Sequence, residues 1–87
     1  MKDEKPLLAD GFDSAVLGLS RGSWGADVVV YSIDRCIDVL VQRDGMTEEE
    51  AIEYMNFNVL DAFMGPMTPI FVYEMDAAAI NEYADAV

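Results

Sequence analysis

VVVYSIDRCIDVLVQRDGMTEEEAIEYMNFNV, residues 28–59, decides the fold, because it contains three element boundaries in a row. Val28 to Tyr31 is a β-branched run closed by an aromatic residue, the composition of a central strand. Ser32 is placed to cap the next element. Ile33, Cys36, Ile37, Leu40 and Val41 then recur at i, i+3, i+4, i+7 and i+8, the apolar stripe of an amphipathic helix. Arg43 suits the negative end of that helix, and Asp44-Gly45 ends it with a residue that tolerates a left-handed conformation. Two residues later Thr47 and Glu50 form a T-x-x-E capping box, with Glu48 and Glu49 beside them in the first turn, where the helix dipole favours negative charge. Ala51, Ile52, Met55, Val59, Ala62 and Phe63 supply the expected buried stripe. Gly65-Pro66 is the expected stop.

Upstream, Ser14 to Ser20 (SAVLGLS) alternates weakly and reads as a strand. Ala15, Leu17 and Leu19 fall on one face, Val16 on the other, and Gly18 marks a bulge or weak point. Arg21 to Gly25 is a turn. Residues 1–10 read as a flexible N-terminal arm, and residues 11–87 as a single domain. Downstream, Thr68 to Met75 is a third strand with Pro69 at its start or on an edge. Asp76 is a cap for a last helix with Ile80, Tyr83, Ala84 and Val87 on one side. The predicted order is β-β-α-α-β-α: an α+β domain with a three-stranded, mainly antiparallel sheet and helices packed on one face.

Charge is the strongest compositional signal. Seventeen acids face five bases, a net charge of −12. Residues 1–43 hold seven acids and all five bases, net −2, whereas residues 44–87 hold ten acids and no base, net −10. Such a chain repels nucleic acid and anionic lipid and attracts basic surfaces. With 53% hydrophobic residues it is too apolar to be disordered, yet no run approaches the ~20 apolar residues of a membrane span. The charged N-terminus lacks a signal-peptide core, so a cytoplasmic protein is expected.

Several chemistries are disfavoured. There is no histidine, the commonest general base and metal ligand. No phosphate-binding glycine loop is present, since Arg21-Gly22-Ser23-Trp24-Gly25 does not fit one. Asp44-Gly45-Met46-Thr47 lacks the alternating ligands of a calcium loop. Cys36, the single cysteine, lies on an apolar stripe and reads as a small core residue. No enzyme activity, catalytic residue, metal or cofactor is expected.

GFDSAVLGL, VVYSIDRCIDVLVQRDGMTEEEAIEYMNFNV and GPMTPIFV together resemble a family of small uncharacterised proteins encoded by tailed phages. The segment RDGMTEEEAIEYMNFNV, residues 43–59, is the most specific part. The resemblance implies a phage accessory protein. It implies no reaction and no catalytic residue.

The expected contact residues are therefore acids and one aromatic anchor: Glu49, Glu50, Glu53, Asp61, Glu74, Asp76 and Trp24. Their expected partner is a host protein with a basic surface, a nucleic-acid-handling or defence factor, in an anti-CRISPR-like, antirestriction-like or DNA-mimic role. Spacing limits full mimicry. Carboxylates four residues apart lie ~6 Å apart along a helix, whereas duplex DNA carries a charge every ~1.7 Å. Mimicry needs the second helix, Glu74-Asp76 and Glu82-Asp85 to converge. The alternative is a self-associating assembly protein, a homodimer closed by aromatic residues such as Tyr54 and Phe57, whose charge gives only solubility.

Overall fold

The computed structural model describes residues 5–21, 26–62 and 65–86. A short 3-10 turn, Asp13–Ala15, leads into strand β1, Val16–Arg21. β2 is Asp27–Ser32, α1 is Ile33–Asp44, α2 is Glu48–Asn58, β3 is Ile70–Val72 and α3 is Ala77–Ala86. The α+β class and the order β-β-α-α-β-α are those predicted.

The sheet is mixed, with strand order β1-β2-β3. β1 and β2 form the longer, antiparallel ladder, and β2 and β3 form a short parallel one. The parallel pair comes from connectivity: two strands joined directly can form a hairpin, but parallel strands need a long crossover. Here α1 and α2 together make that crossover. β3 is shorter than the expected Thr68–Met75 span. Its partner β2 ends at Ser32, which becomes the cap of α1, so the ladder stops at the Ser32–Val72 pair. Pro69, just before β3, has no N–H to give the ladder.

The caps form as the sequence predicts. The Ser32 side chain accepts from the Arg35 N–H at 3.1 Å. Gly45 ends α1 in the left-handed region at φ 72°, where a side chain would be strained. The capping box of α2 is complete: Glu50 N–H donates to Thr47 Oγ1 at 3.1 Å, and Thr47 N–H donates to Glu50 Oε1 at 2.9 Å.

One face of the sheet, the Val29 and Tyr31 side, meets Cys36 and Leu40 of α1 and Ala51 and Met55 of α2 in a core completed by Phe12 and Ala15. Tyr31 is its centre. The ring is fully buried and stacks on Phe71 with centroids 5.2 Å apart, while its hydroxyl accepts from the Ala9 N–H at 2.7 Å. Buried hydroxyls need such a partner. Leu7 also donates its N–H to the Met67 carbonyl, so residues 7–9 of the expected arm are tied to the domain. Burying a side chain such as Leu40 contributes about 2 kcal/mol of transfer free energy.

Two expectations about faces are corrected. Ala15 belongs to the 3-10 turn, and the β1 register shifts between Val16 and Gly18. A bulge adds one residue and so reverses the alternation beyond it. Val16 and Leu19 consequently stand opposite Tyr31 and Val29 on the same face, instead of on opposite faces. In α2 the helix ends at Asn58, not at Gly65. Val59 and Leu60 N–H groups both turn back to the Met55 carbonyl, and both side chains then pack on the core. That packing draws the chain off the helix axis. Ala51 and Met55 are buried as predicted, but Ile52 and Ala62 are exposed, and Phe63 lies outside the described residues.

Candidate partner-binding face

The acids of α2 start from the capping box. Glu50 is exposed but engaged with Thr47. Glu48, Glu49 and Glu53 are exposed, and their carboxylates make no hydrogen bond or ion pair among the described residues. At 3.6 residues per turn, the side opposite Ala51 and Met55 carries Glu49, Glu53 and Phe57, with Glu50 and Tyr54 flanking. Phe57, expected only as a dimer-closing residue, is the apolar member of this set. It is 79% exposed, the most exposed large apolar side chain among the described residues. A shallow groove of about 400 Å³ runs beside it, lined by Asp44, Gly45, Met46, Glu50, Glu53, Tyr54, Phe57 and Asn58. The groove therefore joins three carboxylates to two aromatic rings. One of them, Asp44, is already paired with Arg43 at 2.9 and 3.0 Å, which holds its carboxyl below the usual range.

The remaining predicted contact residues go elsewhere. Asp61 falls within the span predicted for the second helix, which was to stop at Gly65-Pro66; because α2 stops at Asn58, it sits in the following turn, exposed and off the helix. Glu74 is not a free acid. Its carboxylate takes a hydrogen bond from the Ser32 hydroxyl and pairs with Arg35 at 3.2 and 3.3 Å, and its N–H donates to Asp34 at 3.3 Å. The Ser32 bond first, then Arg35, holds the Glu74 carboxyl below its ordinary value. These contacts fasten the end of β3 to the first turn of α1. Asp76 caps α3 as expected, its carboxylate accepting from the Ala79 N–H at 2.8 Å. Trp24 lies outside the described residues.

α3 buries no residue, and no extensive contact joins it to another element. Among the described residues, Glu82 and Asp85 therefore do not converge with the α2 acids through packing.

Other chemistry finds little support in the geometry. Cys36 is buried as predicted, and burial pushes its thiol up to about 11. Thiolate character, the basis of cysteine reactivity, is thereby suppressed. Among the described residues no group of three or more Cys, Asp or Glu side chains could hold a metal ion. No helix among them is long and apolar enough to cross a membrane.

The sequence offered Phe57, with Tyr54, only as a dimer-closing residue and did not place it beside the α2 acids. Its position six residues after Ala51 and two after Met55 is the signal: neither spacing keeps a residue on a helix's buried side. No family model, curated protein or solved structure matches this chain.

Proposed function

We propose that this protein is a binding module, without chemistry of its own, that engages a basic protein surface through the outward side of α2. The observation that carries the reading is Phe57, 79% exposed on the same side as Glu49 and Glu53. Folding does not account for an exposed phenylalanine there, since the helix already has its cap and its buried side. An aromatic ring amid carboxylates matches an arginine or lysine side chain, whose charge pairs with the acids while its stem or guanidinium lies on the ring. Exposed aromatics that become desolvated on binding are the usual energetic anchors of an interface.

The phage-family resemblance and the −10 charge of residues 44–87 support a host nucleic-acid-handling or defence factor as the partner. Inhibition would result from occupying a surface that normally holds phosphates. Contact would be with the protein alone, not with nucleic acid or membrane, in the host cytoplasm. The engagement of Glu74 and Asp76 favours a compact acid–aromatic patch over an extended imitation of a phosphate track.

Binding to an arginine-rich peptide, monitored by fluorescence anisotropy, tests the reading. Affinity should fall steeply with salt. It should drop at least ~10-fold with Phe57→Ala, in the range of an interface anchor, and also with the Glu49→Gln/Glu50→Gln/Glu53→Gln triple variant. Salt-independent binding, or binding that both variants leave intact, would reject it.

A further inference from the structure

Beside the groove on α2 the chain holds an arginine of its own. Arg43 gives two N–H bonds to the Asp44 carboxylate, at 2.9 and 3.0 Å, and a third to the Gly11 carbonyl at 2.6 Å. Its guanidinium carbon lies over the Phe12 ring, 5.9 Å from the centre. Carboxylate, carbonyl and ring face are all engaged at once, which a planar group with five donors allows and a compact ammonium does not. The adjoining groove offers two of the same kinds of group. Tyr54 and Phe57, 39% and 79% exposed, line it together with Glu50 and Glu53. Asp44 is committed to Arg43, and one oxygen of Glu50 to the Thr47 N–H. The other Glu50 oxygen and the Glu53 carboxylate make no hydrogen bond among the described residues.

We infer that this groove selects arginine over lysine in the basic partner, taking a guanidinium against the Phe57 and Tyr54 rings with Glu53 and the open oxygen of Glu50 as its acceptors. The inference rests on the reading of α2 as a binding face and names the side chain which that face prefers. The groove is shallow and its glutamates are exposed. Exposed ion pairs contribute little each, and they distinguish poorly between two cations of equal charge. The rings do distinguish them. An ammonium is compact and strongly hydrated, so in an open groove it keeps its water. A guanidinium is planar and more weakly hydrated, so it stacks on an aromatic face and still donates to carboxylates from its edge. Glu49, on the same helix but outside the groove lining, adds charge that both cations feel alike.

Two peptides, identical except that every arginine of one is lysine in the other, test the inference by fluorescence anisotropy at a single salt concentration. The wild-type protein should bind the arginine peptide about 5-fold more tightly, or better. Phe57→Leu keeps an apolar side chain but removes the ring. It should bring the two affinities close together, with most of the loss on the arginine peptide. Phe57 is exposed, so this variant keeps its fold. Glu49→Gln should weaken both peptides by the same factor and preserve the preference. Equal affinities for wild type, a preference that Phe57→Leu leaves intact, or one that Glu49→Gln removes as fully would overturn the inference. Equal but salt-dependent affinities would leave α2 a binding face for any basic partner, whereas binding of neither peptide would overturn both readings.

Discussion

α1 and α2 begin in the same way and end up facing different tasks. Both start from a hydroxyl cap, Ser32 or Thr47, with acids in the first turn. α1 then gathers its apolar residues on one side: Ile33, Cys36 and Leu40 are buried, and Ile37 and Val41 pack beside them. α2 places only Ala51 and Met55 inward and leaves Ile52, Tyr54 and Phe57 exposed among its glutamates. The two helices separate residues that folding needs from residues it does not.

The sharpest way to break that comparison is to truncate one residue of each kind. Leu40→Ala should destabilise the domain by about 2–5 kcal/mol, as for other buried leucines. Phe57→Ala should change stability by no more than about 0.5 kcal/mol, the range for surface substitutions. Urea denaturation measures both. If Phe57→Ala costs as much as Leu40→Ala, the two helices are alike and the outward side of α2 belongs to the fold.

Thr47→Ala isolates the part of α2 that is structural. Loss of the cap should cost about 1 kcal/mol, while Glu53→Gln, beyond the first turn, should leave the urea midpoint unchanged or raise it by relieving like-charge repulsion with Glu49. A Glu53→Gln variant as unstable as Thr47→Ala would place the free acids in the fold as well.

Glu74 gives a pH-dependent contrast with those acids. Its folded-state carboxyl lies below the ordinary value of 4.5. Its stabilising contribution is therefore full above pH 4.5 and is lost as pH falls from there through the folded value. Relative to wild type, Glu74→Gln should be less stable at neutral pH, with the gap closing in acid. A gap that stays constant with pH would contradict the ion pair's role.

Much of this was legible in local sequence. Ser32, Gly45, Thr47 and Glu50 act within three or four residues of themselves, so their chemistry is visible in a short window. Gly18 likewise announced irregularity in β1, and Asp76 the start of α3. What was not legible depends on distant partners. The parallel pairing of β3 depends on how two helices fill a crossover. The engagement of Glu74 depends on Arg35, which the fold brings to it from the far side of that crossover. The early end of α2 goes with the packing of Val59 and Leu60 on the core, contacts with residues distant in sequence, and it leaves Asp61 outside the helix. The acids and the aromatics Tyr54 and Phe57 were each legible, but as separate readings; that they share the outward side of α2 emerged only once its buried side was known.

The smallest expected effect concerns α3, the opposite extreme from α1. Asp76→Ala should fray this helix, visible as faster amide exchange at Ala79 and Ile80, without moving the midpoint of global unfolding, because α3 buries nothing. A shifted midpoint would mean that α3 carries part of the core's stability.

Whether the outward side of α2 is a binding surface or merely a solvated one is decided most directly by NMR. Chemical shifts are mapped during titration with an arginine-rich peptide. A binding surface gives saturable shifts concentrated on Glu49, Glu50, Glu53, Tyr54 and Phe57, which is the expected result. Shifts spread evenly over all exposed acids, with Asp10, Asp13, Glu82 and Asp85 moving as much as α2, would contradict it.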